Sequence, residues 1–333
     1  MTRFNPEKFQ LVPDALGTPL LMNELEVNLK MWLDWAFLAK SGAWFNVTYV
    51  PGGGSNTTFA KATTPWQLRA VTDRAFTNYT VYEGFRKDWV WEQSVNYVSP
   101  NDDATYNPLV PVVYVDGVIV SSSLYSVDYS LGRIVFNSAQ SATADVEAQY
   151  SFRWVQVYTM AEAHWFRELQ FASLQGDNSD FLQADATGGS WSVNGQHRIQ
   201  MPCIVLEAAP RGYARGFELG SQALANFQDV ICHVIAEDSF TRNQILDTLR
   251  YQRDKVIWLF SSNLVNQADA WPLQPNGDLA NSNVYPDLIA DGTGYRWDKC
   301  TFSDVVLEDV AAIHPNLYEG VVRITTEVLT GQI

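Results

Sequence analysis

Cysteine is scarce and odd in number: Cys203, Cys232 and Cys300 lie far apart and form no CxxC pair. That pattern excludes a disulfide framework and a thiolate zinc knuckle, and it fits a chain made in a reducing cytoplasm. Basic residues are also few, with 22 Lys+Arg against 37 Asp+Glu and a formal charge of -15. No basic run offsets this balance, so sequence-specific nucleic acid is not an expected partner. Long apolar runs are missing, so neither a signal peptide nor a membrane span is expected. The four histidines are scattered, and Cys232 and His233 alternate on an apolar strand, so they point to opposite faces. No metal site, cofactor site or catalytic residue is read from these residues. Phosphate-loop, EF-hand and G-x-S-x-G spacings are likewise absent. The glycines of Pro51 to Ser55 read as a loop, and Asp102 and Asp103 as a surface turn. Glu83, Asp88, Glu92, Asp116 and Asp128 are carboxylates that a glycoside hydrolase could use, but their separations are not readable from sequence.

What is abundant is aromatic side chain: 12 Trp, 15 Tyr and 17 Phe in 333 residues. Packing in a core and between sheets accounts for them, or a surface that holds protein or glycan. The segment around which the chain is arranged runs from Pro111 to Tyr158. Asp116-Gly117 between short apolar runs predicts a two-residue hairpin. A second hairpin is expected where Tyr125 to Tyr129 meets Arg133 to Phe136, with Gly132 supplying a left-handed turn residue. Beyond it, Val146, Ala148, Tyr150 and Phe152 alternate with Glu147, Gln149, Ser151 and Arg153, which predicts a half-buried strand.

The remaining pattern predicts an α+β fold of mainly antiparallel sheets, with an N-terminal helix and a C-terminal sheet packed by a long helix. Residues 1–17 read as an arm, 18–175 as a helix plus an aromatic-rich β domain, 176–198 as a loop or boundary, and 199–333 as an antiparallel α+β domain. In the first helix, Leu21, Leu25, Leu29, Trp32 and Leu33 share a face, with Glu24, Asn28 and Lys30 turned away and Gly42 as the cap. The helix that starts at Ser239 is expected to bury Ile245, Leu246, Leu249 and Val256 and to continue towards Leu259. Arg211 and Arg215 stand on a glycine-punctuated link, where they would bridge to an acidic neighbour. Arg242 and Asp247 on the helix are candidates for contacts between subunits.

Two stretches resemble known families. Val113-Tyr114-Val115-Asp116-Gly117, followed by Tyr125 to Phe136, resembles a hairpin pattern common in virion structural proteins of tailed bacteriophages. Separately, Met201 to Glu207, the strand Phe227 to Ala236 and the helix carrying Arg242, Ile245, Leu246, Asp247 and Leu249 resemble phage neck proteins of the tail-terminator type. That resemblance implies a subunit of a six-membered ring that stops tail polymerisation and joins tail to head. Its partners would be copies of itself and the adjoining neck and tail proteins, its location would be the neck of the virion, and no enzyme activity is implied. The aromatic first half departs from this pattern. It keeps open a baseplate or tail-fibre adaptor that binds protein or glycan, and a phage-associated hydrolase.

Overall fold

The computed structural model describes residues 21–40, 42–51, 64–90, 108–175, 182–184, 190–193, 197–217, 224–271, 283–314 and 316–330. The arm of residues 1–17, the glycines 52–54, Glu92 and the Asp102-Asp103 turn lie outside them. The fold is mixed α+β with mostly antiparallel sheets, an N-terminal helix and a C-terminal sheet.

Helix α1 (Leu21–Trp35) continues through a π-turn over Ala36–Lys40. Gly42, at φ +60°, ends it and donates its N–H to Leu38. Only a residue tolerant of the left-handed region closes a helix in this way. The main sheet has the strand order β10 (Gln156–Thr159), β14 (Cys203–Gly216), β15 (Leu224–Ala236), β18 (Leu317–Thr330), β17 (Arg296–His314), β16 (Val256–Phe260). Only β10 and β14 run parallel.

Both edge strands of this sheet reach α1. Leu25, Leu29, Trp32 and Leu33 join one core with Ile204, Val230, Cys232, Leu259, Phe260, Phe302 and Val322. Of the polar residues expected to face away from this core, Glu24 and Asn28 are instead buried, while Lys30 stays partly exposed. Asn28 is fully enclosed; its Nδ2 donates to the Phe260 carbonyl (2.9 Å) and its Oδ1 accepts from the Phe260 N–H (2.8 Å). Glu24 accepts from the Ser262 N–H (3.0 Å) and hydroxyl (2.8 Å). These side chains stand in for the missing neighbour strand at the β16 edge, where an unpaired backbone would be costly to bury. At the other edge Glu26 accepts from the Met160 N–H (2.7 Å), and Lys30 pairs with Glu162. Burial raises the Glu26 carboxyl above its ordinary range; the Met160 bond opposes that rise, and Glu162 and Glu207 add to it.

On the same face as α1 lies α3 (Ser239–Arg250), capped by Asp238, which accepts from the Thr241 N–H (2.7 Å). That bond holds the Asp238 carboxyl below its usual range. Ile245, Leu246 and Leu249 are buried as expected. The helix ends at Arg250 rather than running towards Leu259, because Asp254 turns at φ +62° into a strand whose Val-Ile-Trp-Leu-Phe sequence favours extension. Val256 is exposed. Gly320 on β18 permits the close approach of α3, since a Cβ there would stand 2.5 Å from a Leu246 methyl.

On the opposite face, α2 (His164–Gln175) and a small sheet of β11 (Leu182–Ala184), β12 (Ser190–Val193) and β13 (His197–Gln200) cover one end. The stretch read as a loop at 176–198 therefore contains strands. Nor does it separate two packing units: α1, β10 and α2 all pack on the C-terminal sheet. Glycine content suggested a boundary there, but parallel pairing of β10 with β14 joins the two sides.

Between α1 and β10 the chain forms a β module. One sheet holds β1 (Trp44–Val47), β4 (Trp89–Val90), β5 (Val112–Val115), β6 (Val118–Ile119) and β9 (Val146–Arg153). The other has the order β2 (Arg69–Ala70), β3 (Val81–Glu83), β8 (Arg133–Phe136), β7 (Tyr125–Asp128). Both expected hairpins form, but they belong to different sheets packed over a shared core. Trp89 stacks on Tyr150 at 4.0 Å in that core. Strand β9 is buried on both faces rather than one: the Ser151 hydroxyl bonds Asn46 and Leu109, and Glu147 is enclosed beside Tyr49 and Trp66. Burial raises the Glu147 carboxyl above its ordinary range.

The two turn glycines differ. Gly117 (φ +75°) follows Asp116 (φ +50°) in an open hairpin, where a Cβ would meet only the Tyr49 hydroxyl at 3.6 Å. At Gly132 (φ +62°) a Cβ would stand 2.3 Å from the Arg86 carbonyl. Gly117→Ala is expected to cost about 1 kcal/mol, and Gly132→Ala at least ~3 kcal/mol because strain and overlap combine. Equilibrium urea unfolding of the two variants checks this order. Asn28→Ala is expected to lower stability by about 2–3 kcal/mol through the stranded Phe260 amide; an unchanged unfolding midpoint would show that water replaces the side chain there.

Candidate functional site

Beyond α2, the second face of the main sheet is left without a covering layer among the described residues. Residues of one parity on the central strands line it: Phe227 and Asp229 from β15, Arg323 and Thr325 from β18, Asp304 from β17. Arg211 and Tyr213 on β14 close a groove of about 190 Å³ with them.

A bulge builds this groove. Pairing is regular at Ala208 with Val230 and again at Gly212 with Gln228, so residues 209–211 stand opposite Asp229 alone. Pro210 has no N–H to give the ladder, which places an irregularity there. Gln228 fills the gap, its Nε2 donating to the Asp229 carbonyl (2.9 Å) and reaching the Ala209 carbonyl. A Cβ on Gly212 would lie 2.5 Å from the Gln228 Oε1, so a larger residue there would oblige the Gln228 amide to shift. The stretch expected to be a flexible link is thus ordered strand from Arg211 to Gly216.

The bulge delivers Arg211 to 3.8 Å from Asp229 while most of its side chain stays in solvent. Asp229 itself is buried, accepting from the Thr325 hydroxyl (2.8 Å) and paired with Arg323 at 3.4 Å. Arg323 is held on its other side by Glu308 at 2.7 Å. Next to this network Tyr213 stacks on Phe227 (4.8 Å, 13° between planes), and the Arg215 guanidinium lies 4.7 Å over the same Phe227 ring. The result is an exposed aromatic and cationic rim around a neutralised floor. Such a rim suits protein contacts, where Tyr, Phe and Arg are enriched. Its volume is below the roughly 300–1,000 Å³ of small-molecule pockets.

Of the four expected interface residues, the structure brings Arg211 and Arg215 to this rim. Arg242 is not available for such a role. It is buried, bonded to the Asn243 side-chain oxygen (2.9 Å) and set 5.7 Å over Tyr318, because its place in the first turn of α3 points it back at the sheet. Asp247 is exposed on α3, with Arg250 at 3.2 Å. Asp116, Gly117 and Gly132 serve the hairpins of the β module. Tyr213, Phe227, Asp229, Asp304, Arg323 and Thr325 carry no sequence signal beyond strand alternation; only register makes them neighbours.

Of the carboxylates considered for hydrolysis, Glu92 lies outside the described residues, and Glu83, Asp116 and Asp128 have structural partners. Glu83 pairs with Arg69 (2.8 Å) and Arg133 (3.2 Å). Asp116 accepts from the Asp145 N–H, and Asp128 from Leu131 N–H and the Ser130 hydroxyl. Asp88 is half-buried near Arg153, with burial pushing its carboxyl upward. His233 is enclosed between Glu319 (2.9 Å) and Glu207 (3.5 Å) beneath Phe166. Among the described residues no group of three or more His, Cys, Asp or Glu is placed to hold a metal ion, and no helix is long and apolar enough to cross a membrane. No protein-family model matches the sequence, and no curated protein matches it.

All three cysteines are buried and free. Burial pushes the Cys232 and Cys300 thiols up to about 12 and Cys203 higher still. Since the thiolate is the reactive form, a chromogenic disulfide reagent at pH 8 is expected to label none in the native chain and three after denaturation. Rapid labelling of the folded protein would show that one of them is reached through an opening motion.

Proposed function

We propose that this chain is a structural subunit of a tailed-bacteriophage particle, acting in the neck as a tail-terminator-type ring that joins tail to head through protein contacts. The observation that carries this reading is the exposed Arg211, Tyr213 and Arg215 rim on a sheet face that the chain's own described elements leave uncovered. Copies of itself and adjoining neck and tail proteins are the partners. Guanidinium groups on an acidic chain favour meeting an acidic surface of another copy, because unlike patches of one molecule can engage around a ring. Its place is the virion, after synthesis in the host cytoplasm.

An adaptor at the baseplate or tail fibre is the second reading, favoured by the exposed Val110, Val118, Ile119 and Leu124 on the β module. A glycan-binding version has less support: every described tryptophan is buried or half-buried, so the aromatic content goes largely into packing.

Immunogold labelling of intact particles with antibody against this chain is expected to mark the head–tail junction. Label at the distal tail would transfer the role to an adaptor. Absence of label, under conditions that mark other virion proteins, would sink both.

A further inference from the structure

The two most exposed large apolar side chains among the described residues are Phe240 (78%) and Tyr251 (77%). Phe240 lies in the first turn of α3, and Tyr251 caps its end. With Asn243 and Asp247 they fall at i, i+3, i+7 and i+11, one stripe of a 3.6-residue helix. Arg242, Ile245, Leu246 and Leu249 occupy the opposite, buried side. Among the described residues, the contacts of this stripe are with its own helix: Asn243 accepts from Arg242, Asp247 pairs with Arg250, and the Arg250 guanidinium lies 5.8 Å over Tyr251.

The stripe and the groove lie on opposite faces of the same sheet. Helix α3 packs on the α1 side, whereas Arg211, Tyr213 and Arg323 lie on the face shared with α2. Their chemistry is complementary: a carboxylate between aromatics on one, guanidinium groups beside aromatics on the other. Their spacing matches as well. Asp247 and Tyr251 are four helical residues apart, about 6 Å; Arg211 and Tyr213 are two strand residues apart, about 6.6 Å. The groove of about 190 Å³ accommodates a single large side chain rather than a cofactor.

We infer that the α3 stripe of a second copy docks in this groove, with Asp247 pairing with Arg211 and Tyr251 stacking at Tyr213. Asp247 exchanges its pair with Arg250, a contact between two half-exposed surface groups that stabilises little. Because the two surfaces are different and back to back, the contact is heterologous, and its repetition generates a closed ring or an open filament rather than a two-fold dimer. This inference rests on the ring reading and specifies the surfaces that build it.

The test is sedimentation velocity on the purified full-length chain. The wild type is expected to form a discrete oligomer. Arg211→Glu and Asp247→Arg should each weaken self-association about tenfold or more, and the double variant should restore it. Circular dichroism should be unchanged for Asp247→Arg, whose side chain is exposed, and recovery in the double variant separates the lost pair from the cost of a carboxylate beside Asp229 in Arg211→Glu. Oxidation of a chain carrying Tyr213→Cys and Tyr251→Cys should link copies, with the native thiols buried. Discrete oligomers that are indifferent to both charge reversals, and that fail to cross-link, would overturn this pairing and leave the ring standing. A wild-type chain that stays monomeric at high micromolar concentration would overturn both.

Discussion

The constraint on which the rest of this structure depends is that the main sheet has two edge strands, β10 and β16, and the single helix α1 reaches both. Helix α1 does so with polar side chains placed among its apolar ones: Asn28 and Glu24 at β16, Glu26 and Lys30 beside β10. A purely apolar helix would bury the same area and leave the Phe260 amide without a partner. A purely polar outer face would leave the edges open to other chains. The mixture explains why α1 is enclosed on more than one side within the subunit.

That closure has a consequence for the other face. With α1 and α3 filling the inner side, the sheet needs no complete second layer. Among the described residues, α2 and the small sheet cover the end bearing Cys203, Val205, Ile235 and Leu317. The groove end carries charged side chains beside the aromatic pair of Tyr213 and Phe227. Asp229 can be buried there because Thr325, Arg323 and Arg211 surround it, whereas an unpaired carboxylate in that position would be strongly disfavoured. The bulge at 209–211 brings in the third of these partners and leaves its guanidinium turned to solvent.

The groove thus joins a buried ion network to an exposed aromatic and cationic rim. The floor is neutralised and held, while the rim is free to meet a partner at little ordering cost to the groove. The proposed neck role and the proposed docking of α3 both use this division. The β module, joined to α1 through the ion pair of Asp34 with Arg153, adds a second surface whose exposed apolar residues lie far along the chain from the groove residues.

By itself the sequence determined the local elements: both hairpins from Asp116-Gly117 and Gly132, the α1 cap at Gly42, the strand at 226–236, and the buried side of α3. These follow from short-range physics, namely which residues tolerate positive φ and which periodicity places apolar groups on one face. Tertiary structure alone decided what those elements touch. Glu24 and Asn28 look solvent-facing in periodicity because nothing local announces an edge strand more than 230 residues away. Arg242 looks available for the same reason, since Tyr318 and the Glu319 carbonyl come from the last strand. The glycines near Arg211 read as flexibility, yet Gly212 and Gly216 lie within strand β14, with the Gln228 amide packed close to Gly212. The groove is a matter of register between β14, β15, β18 and β17, and register is set by long-range packing, which composition and periodicity do not carry.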